Sequence, residues 1–196
     1  MTKTLWERWT TKPAPEPERW NPLKARVGAI ITLNLAEHAD ILYRVQALRE
    51  VILDQRGHKN ADYDIGDMDN KARIRCCPTQ DGYQTILLER YDDLPFDAGL
   101  LETCKESQEF HVTEDNEEST YWRVGDAKEP FHCLMQVHEG GAWNQCKVDV
   151  WDYSRITLDE AGQQFEQFLF VEMDKDSGRF QLWRGEEIEP SRITVG

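Results

Sequence analysis

Tight-turn signals recur along this chain, each between short segments that alternate apolar and polar residues. That spacing favours antiparallel strands over any other element. "KARIRCCPT" and "YQTILLERYD" flank "QDG". "FHCLMQV" and "WNQCKVDVWDY" are joined through Gly140-Gly141, and "FEQFLFVEM" and "RFQLWRG" flank "DKDSG". "EFHVTEDNEESTYWRV" reads as two strands around an acidic turn. Successive hairpins imply a mainly β fold, with antiparallel sheets forming a sandwich or a partly open barrel; an α+β variant stays open. Short helical turns complete it. One is expected in "LPFDAGLLETCKES", and another in "TLDEAGQQF", capped by Thr157 with Glu160 three residues on.

Residues 41–53 carry two patterns. Ile41, Val45, Leu48 and Ile52 make a helical stripe, with Asp40 as a possible N-cap and Gly57 as a stop. Tyr43, Val45, Ala47, Val51 and Leu53 alternate as a strand does, and the strand-like neighbours favour that reading.

Residues 1–25 stand apart as an arm. Pro13, Pro15, Pro17 and Pro22 favour an extended path, while Trp6, Trp9 and Trp20 are costly to leave in water. The arm is expected to pack on its own domain or to dock on a partner subunit. Residues 26–196 are expected to form one β-rich domain, with a possible seam near 113–119.

The chain has 37 acidic and 23 basic residues, a net charge of −14. Such a surface repels phosphates and anionic lipid, so nucleic acid and membrane surfaces are not expected as partners; a basic protein would be attracted. There is no run of 18 apolar residues and no apolar signal region near the first residue. Five cysteines is an odd number, without a CxxC pair, and Cys76 and Cys77 are adjacent, where an ordinary bridge is geometrically disfavoured. Reduced thiols and a cytoplasmic location are the expectation.

"HCLMQVHEGGAWNQC" places His132, Cys133, His138 and Cys146 within one short stretch. If Gly140-Gly141 form a two-residue turn, Glu139 faces Ala142, His138 faces Trp143, Met135 faces Cys146 and Cys133 faces Val148. Side chains alternate between faces, so the cysteines share one side with Met135 and Val137, and the histidines take the other. A tetrahedral zinc needs four ligands converging within about 2.0–2.3 Å, which this hairpin would not provide; no metal and no cofactor are expected.

Other constellations point less sharply. "DKDSG", with Asp174, Asp176 and Gly178, begins like a calcium loop but lacks the later ligands and reads as a hairpin tip. Asp62, Asp64, Asp67 and Asp69 could gather a cation or belong to a polar loop. Glu172 shares a strand with Phe168 and Phe170, where burial could suit a general acid; outward alternation is the preferred reading. Cys104 and His111 could form a thiol–imidazole couple. GxSxG, HExxH, Walker A and GxGxxG patterns are all missing from the sequence.

Trp122, Trp143, Trp151 and Trp183 fall on separate strands, with Arg123, Lys147 and Arg184 nearby. Either each indole plugs the core, or several share an outer face as a binding platform, with Trp122, Trp143, Trp151, Trp183 and Arg184 as its residues. The leading expectation is a non-catalytic binding or adaptor module, with a basic protein partner or self-association through the arm. The alternatives are a carboxylate-based hydrolase with its site in a β-cleft and a small-ligand binder with an aromatic pocket.

Overall fold

The computed structural model describes residues 19–34, 41–52, 59–66, 71–114, 116–125, 129–159 and 161–196. Trp6 and Trp9 of the arm, Asp40, Leu53, Gly57, Asp67, Asp69 and Glu160 lie outside the described residues.

The strands are β1 (Ile30–Leu33), β2 (Ile41–Ile52), β3 (Lys59–Gly66), β4 (Lys71–Thr79), β5 (Gly82–Leu94), β6 (Glu109–Glu114) and β7 (Glu117–Arg123). They continue with β8 (Phe131–Glu139), β9 (Ala142–Leu158), β10 (Gln164–Asp174), β11 (Phe180–Glu187) and β12 (Ile193–Val195). The α-helix among the described residues, α1 (Ala98–Glu106), follows β5. The fold is mainly antiparallel β, as the hairpin spacing implies.

Pairing follows the order β2-β3-β4-β5-β11-β10-β9, and β8 pairs with both β9 and β2, so these eight strands close a ring. Strand β8 takes only part of each neighbour's edge. On β2 it pairs with Leu48–Ile52, leaving Ile41–Arg44 to β1 and, beyond it, β12. On β9 it pairs as far as Val150, and Tyr153 and Ser154 pair instead with β7, which carries β6. Two wings therefore branch from the ring, one on each side of β8.

Side-chain alternation sorts the core into three clusters. The inward cluster contains Ala47, Val51, Ile86, Leu88, Cys133, Met135, Val137, Val148, Val150, Phe170 and Trp183. One outer cluster lies under the β1 wing, where Ile31, Leu33, Tyr63, Ile65 and Ile74 meet Trp20, Leu23 and Ala25. The other lies under the β7 wing and α1, where Tyr121, Trp151, Tyr153, Leu169 and Val171 pack on Cys104 and Phe110. A register shift between Val45 and Ala47 puts two odd-numbered residues on opposite faces, so β2 serves the β1 wing first and the ring interior afterwards.

The segment 41–52 is a strand because both its edges are taken: β3 on one side, β1 and then β8 on the other. The helix α1 is capped at its N-terminus by Asp97, whose Oδ1 accepts from the Leu100 N–H at 2.7 Å. Among the described residues of "TLDEAGQQF" the expected helix is not formed. Thr157 and Leu158 continue β9 and pair with Phe165 and Gln164, and the turn closes with Asp159 Oδ1 accepting from the Gln163 N–H at 2.7 Å. Long strand pairing on either side outcompetes one turn of helix, whose nucleation is costly.

The segment around Glu114 to Glu118 is the tip of the β6–β7 hairpin, with Glu114 paired to Glu117. Of the arm, residues 19–25 are described: Trp20, Leu23 and Ala25 pack on the outer cluster, and the Tyr63 hydroxyl donates to Asn21 Oδ1 at 2.6 Å. Among the described residues no helix is long and apolar enough to cross a membrane.

Candidate functional site

The inward face holds charges as well as apolar groups. Asp62 and Asp64 on β3 stand directly opposite Arg75 and Arg73 on β4. Arg75 grips Asp62 with two parallel bonds, Nε to Oδ1 at 3.0 Å and Nη2 to Oδ2 at 2.8 Å. From the far side of the ring, Glu172 on β10 accepts from Arg73 Nη1 at 2.8 Å and from Arg75 Nη2 at 2.7 Å. Asp64 accepts from Arg73 Nε at 2.9 Å and also pairs with Arg49. The two guanidinium planes rest on aromatic faces, Arg73 at 3.9 Å from the Trp183 ring centre and Arg75 at 4.5 Å from that of Phe170.

Three carboxylates meet three guanidiniums here. Burial alone would raise the Glu172 carboxyl, but Arg73 and Arg75 outweigh it and hold the group below the usual carboxylate range. Asp64 behaves the same way between Arg73 and Arg49. Glu172 therefore points inward rather than outward, and it is held ionised, with both carboxylate oxygens engaged. That disposition suits cross-ring pairing, not proton donation. Nor do Asp62 and Asp64 belong to a polar loop: they are ring strand residues bound to arginines.

Asp152 is the inward carboxylate outside this balance. It is half-buried, and its Oδ1 has no hydrogen-bond partner among the described residues. Burial pushes its pKa up, Arg75 opposes and Glu172 adds to the rise, bringing it to about 6.

The hairpin of β8 and β9 has the register that a Gly140-Gly141 turn dictates: His138 opposite Trp143, Met135 opposite Cys146, Cys133 opposite Val148. Both glycines have positive φ, +59° and +84°, which the tight primed turn requires. Cys133 and Met135 are buried inward, and burial pushes the Cys133 thiol up to about 12. His132 lies outside, hydrogen-bonded through Nδ1 to Asp149 at 2.6 Å, and His138 stacks on Trp143. Among the described residues, no three His, Cys, Asp or Glu side chains are grouped to hold a metal ion. Asp174 Oδ1 accepts from the N–H groups of Asp176 and Ser177, which ties the last hairpin tip to itself. Cys104 is buried beside Tyr153 and Arg123, while His111 is exposed among Glu109, Glu118 and Thr120, so the two do not form a couple.

The four strand tryptophans do not share one outer face. Trp151 is buried in the cluster under the β7 wing and Trp183 in the ring interior. Trp143 lies half-buried beneath Arg19, at the turn of the β8–β9 hairpin. Arg184 pairs with Glu114 and lies over Tyr91. Only Trp122 among the four is open, 56% exposed.

Trp122 belongs to a surface that continues the inward face beyond the ring. It is paired with Ser154, which is paired with Phe168, and directly paired residues point to the same side. Along β9 the next residues on that side are Ile156 and Leu158, exposed by 65% and 60%. Glu109, opposite Trp122, and Glu166, opposite Ile156, stand on this face. Glu118 joins them by alternation from Trp122. From β6 and β7 to Ser154–Leu158 and Gln164–Phe168, the positions on this side include no lysine or arginine. The result is an apolar strip with an acidic border. Exposure of Trp122 was not readable from sequence, because it depends on β7 meeting β9 where β8 has ended.

Comparison of the chain with protein-family models, with curated proteins and with solved structures finds no match.

Proposed function

We propose that the protein is a binding module that docks a basic, amphipathic protein segment across the open face of β7, β9 and β10. The observation that carries this reading is the strip of Trp122, Ile156 and Leu158, each more than half exposed, on a face that carries Glu109, Glu118 and Glu166 and no lysine or arginine. Large apolar side chains held on rigid strands bind at low entropic cost, and tryptophan is among the residues enriched at the anchors of such contacts. Glu109, Glu118 and Glu166 select lysine or arginine at the edges, and the net charge of −14 steers a basic partner inward. The buried charges of the ring serve rigidity: with Glu172 saturated by two arginines, they hold the strands that present the strip. All five cysteines are free thiols, which fits operation in a reducing compartment such as the cytoplasm.

The test is titration with a fluorescent amphipathic peptide of lysine and leucine, with a glutamate–leucine peptide as control. The lysine peptide should bind saturably, faster at low salt, and Trp122→Ala should weaken it at least tenfold. Equal binding by Trp122→Ala, or equal binding of both peptides, would remove this face as the docking surface. Assembly of the chain with itself, abolished by the same substitution, would replace the basic segment with a second copy.

A further inference from the structure

At the other end of β9 the fold builds a seat that the chain fills with its own side chain. Ring closure through β8 aligns two rows on the outer surface. Glu50 is paired with Gln136, and Leu48 with His138, which is paired in turn with Trp143. Neither row exists within one hairpin; each needs β2 and β9 brought to the two edges of β8. Across them lies Arg19. Its guanidinium sits 3.6 Å from the centre of the Trp143 ring, with His138 stacked against that ring at 4.9 Å. Nη1 donates to Glu50 Oε2 at 3.1 Å and to Gln136 Oε1 at 2.5 Å. The Glu50 carboxylate is largely buried and also receives Lys59 at 2.5 Å.

An aromatic plane, a shielded carboxylate and an amide oxygen at its rim are the chemistry that recognises a planar cation. The fit of Arg19 is incomplete. Its Nε is buried with no hydrogen-bond partner among the described residues, and a cavity of about 300 Å³ remains beside it, lined by Trp20, Leu48, Glu50, Tyr63 and Trp143. The seat thus has room beyond what its present occupant uses, and it leaves one donor of that occupant unmatched.

We propose that this is a binding site for alkylguanidinium groups, occupied in cis by Arg19, which an external arginine or guanidino compound enters when the Arg19 side chain swings out. The tether makes Arg19 a competitor at high effective concentration, so an incoming guanidinium binds the intact chain weakly and the Arg19-deleted site strongly. The site lies beyond the opposite end of β9 from Trp122, and it does not depend on what docks there.

The experiment uses the full chain with a nitrogen-labelled indole at Trp143, followed by NMR. The probes are agmatine, a capped Gly-Arg-Gly peptide, and the same peptide with citrulline as the uncharged isostere. In Arg19→Ala both cationic probes should shift the Trp143 indole saturably, at least tenfold more tightly than in the wild type. The citrulline peptide should not shift it, and adding Trp143→Ala should abolish binding seen by calorimetry. Tighter binding of agmatine would assign the site to small molecules, and tighter binding of the peptide to a protein arginine. A folded Arg19→Ala chain with no saturable shift, or with an equal response to citrulline, overturns the proposal. Arg19→Gln is the second variant, keeping part of the aliphatic stem without the guanidinium. If both substitutions unfold the chain, Arg19 is a clamp of the fold and the site does not exist.

Discussion

One face of β9 has two fates. From Val148 to Asp152 it looks into the ring, where Val148 and Val150 are buried beside the paired arginines. From Ser154 to Leu158 the same face is open, and Ile156 and Leu158 are exposed. Composition does not separate the halves, since each mixes apolar and polar residues. What separates them is the neighbour: β8 covers β9 as far as Val150, and beyond it β7 turns the edge into a wing. In the enclosed half an unpaired ion in low dielectric is expensive, so Asp62, Asp64 and Glu172 are matched by arginines, and the unmatched Asp152 has its pKa raised instead. In the open half unmatched acids and bare apolar groups are tolerated, and they become available for binding.

The largest difference between the halves should come from Glu172. Replacing it with alanine leaves Arg73 and Arg75 facing each other with one carboxylate fewer, and should cost about 3–5 kcal/mol in chemical denaturation. The wild type should also lose stability in acid. Glu172 and Asp64 have lowered folded-state pKa values, so their contribution is present above the unfolded carboxylate range and is lost as pH falls through the folded values.

That network marks where the sequence stops being readable. The β8–β9 hairpin was legible residue by residue, because a two-glycine turn leaves one register and alternation does the rest. Glu172 was not legible. Its partners are on β4, 97 and 99 residues away along the chain, and only ring closure brings them together. Segment 41–52 was ambiguous for a related reason: its helical stripe is real, and neighbours that the local sequence does not specify make it a strand. Trp151 and Trp183 look like Trp122 on paper, and their burial depends on which side of the β9–β11 layer is covered.

Gly185 sits at the border of the two halves, in the row with Phe168 and Leu88. A Cβ there would lie 1.8 Å from the Leu87 carbonyl oxygen, so Gly185→Ala should push β11 from β5 and cost about 1–3 kcal/mol in a thermal or denaturant melt. Asp152→Asn should act in the opposite direction. The Asp152 pKa is raised from the usual carboxylate range to about 6 in the fold, so the ionised form destabilises the folded state. The gain from the amide should be absent below about pH 4, grow between about pH 4 and 6, and reach about 1–2 kcal/mol at pH 7. A gain equal at pH 4 and pH 7 would show that ionisation is not its source.

The smallest stability effects belong to the open half. Trp122→Ala and Ile156→Ala should each stay within about 0.5 kcal/mol of the wild type, as exposed positions do. A loss as large as that of Glu172→Ala would mean that the strip is covered in solution.

The central claim, that one face is built for rigidity where enclosed and for binding where open, is tested most directly by amide hydrogen exchange with and without the lysine–leucine peptide. Protection gained on binding should concentrate in residues 109–123, 154–158 and 164–168, while the slow exchange of Val148–Asp152 stays unchanged. Protection that appears elsewhere, or that leaves 154–158 untouched while the peptide binds, would contradict the account.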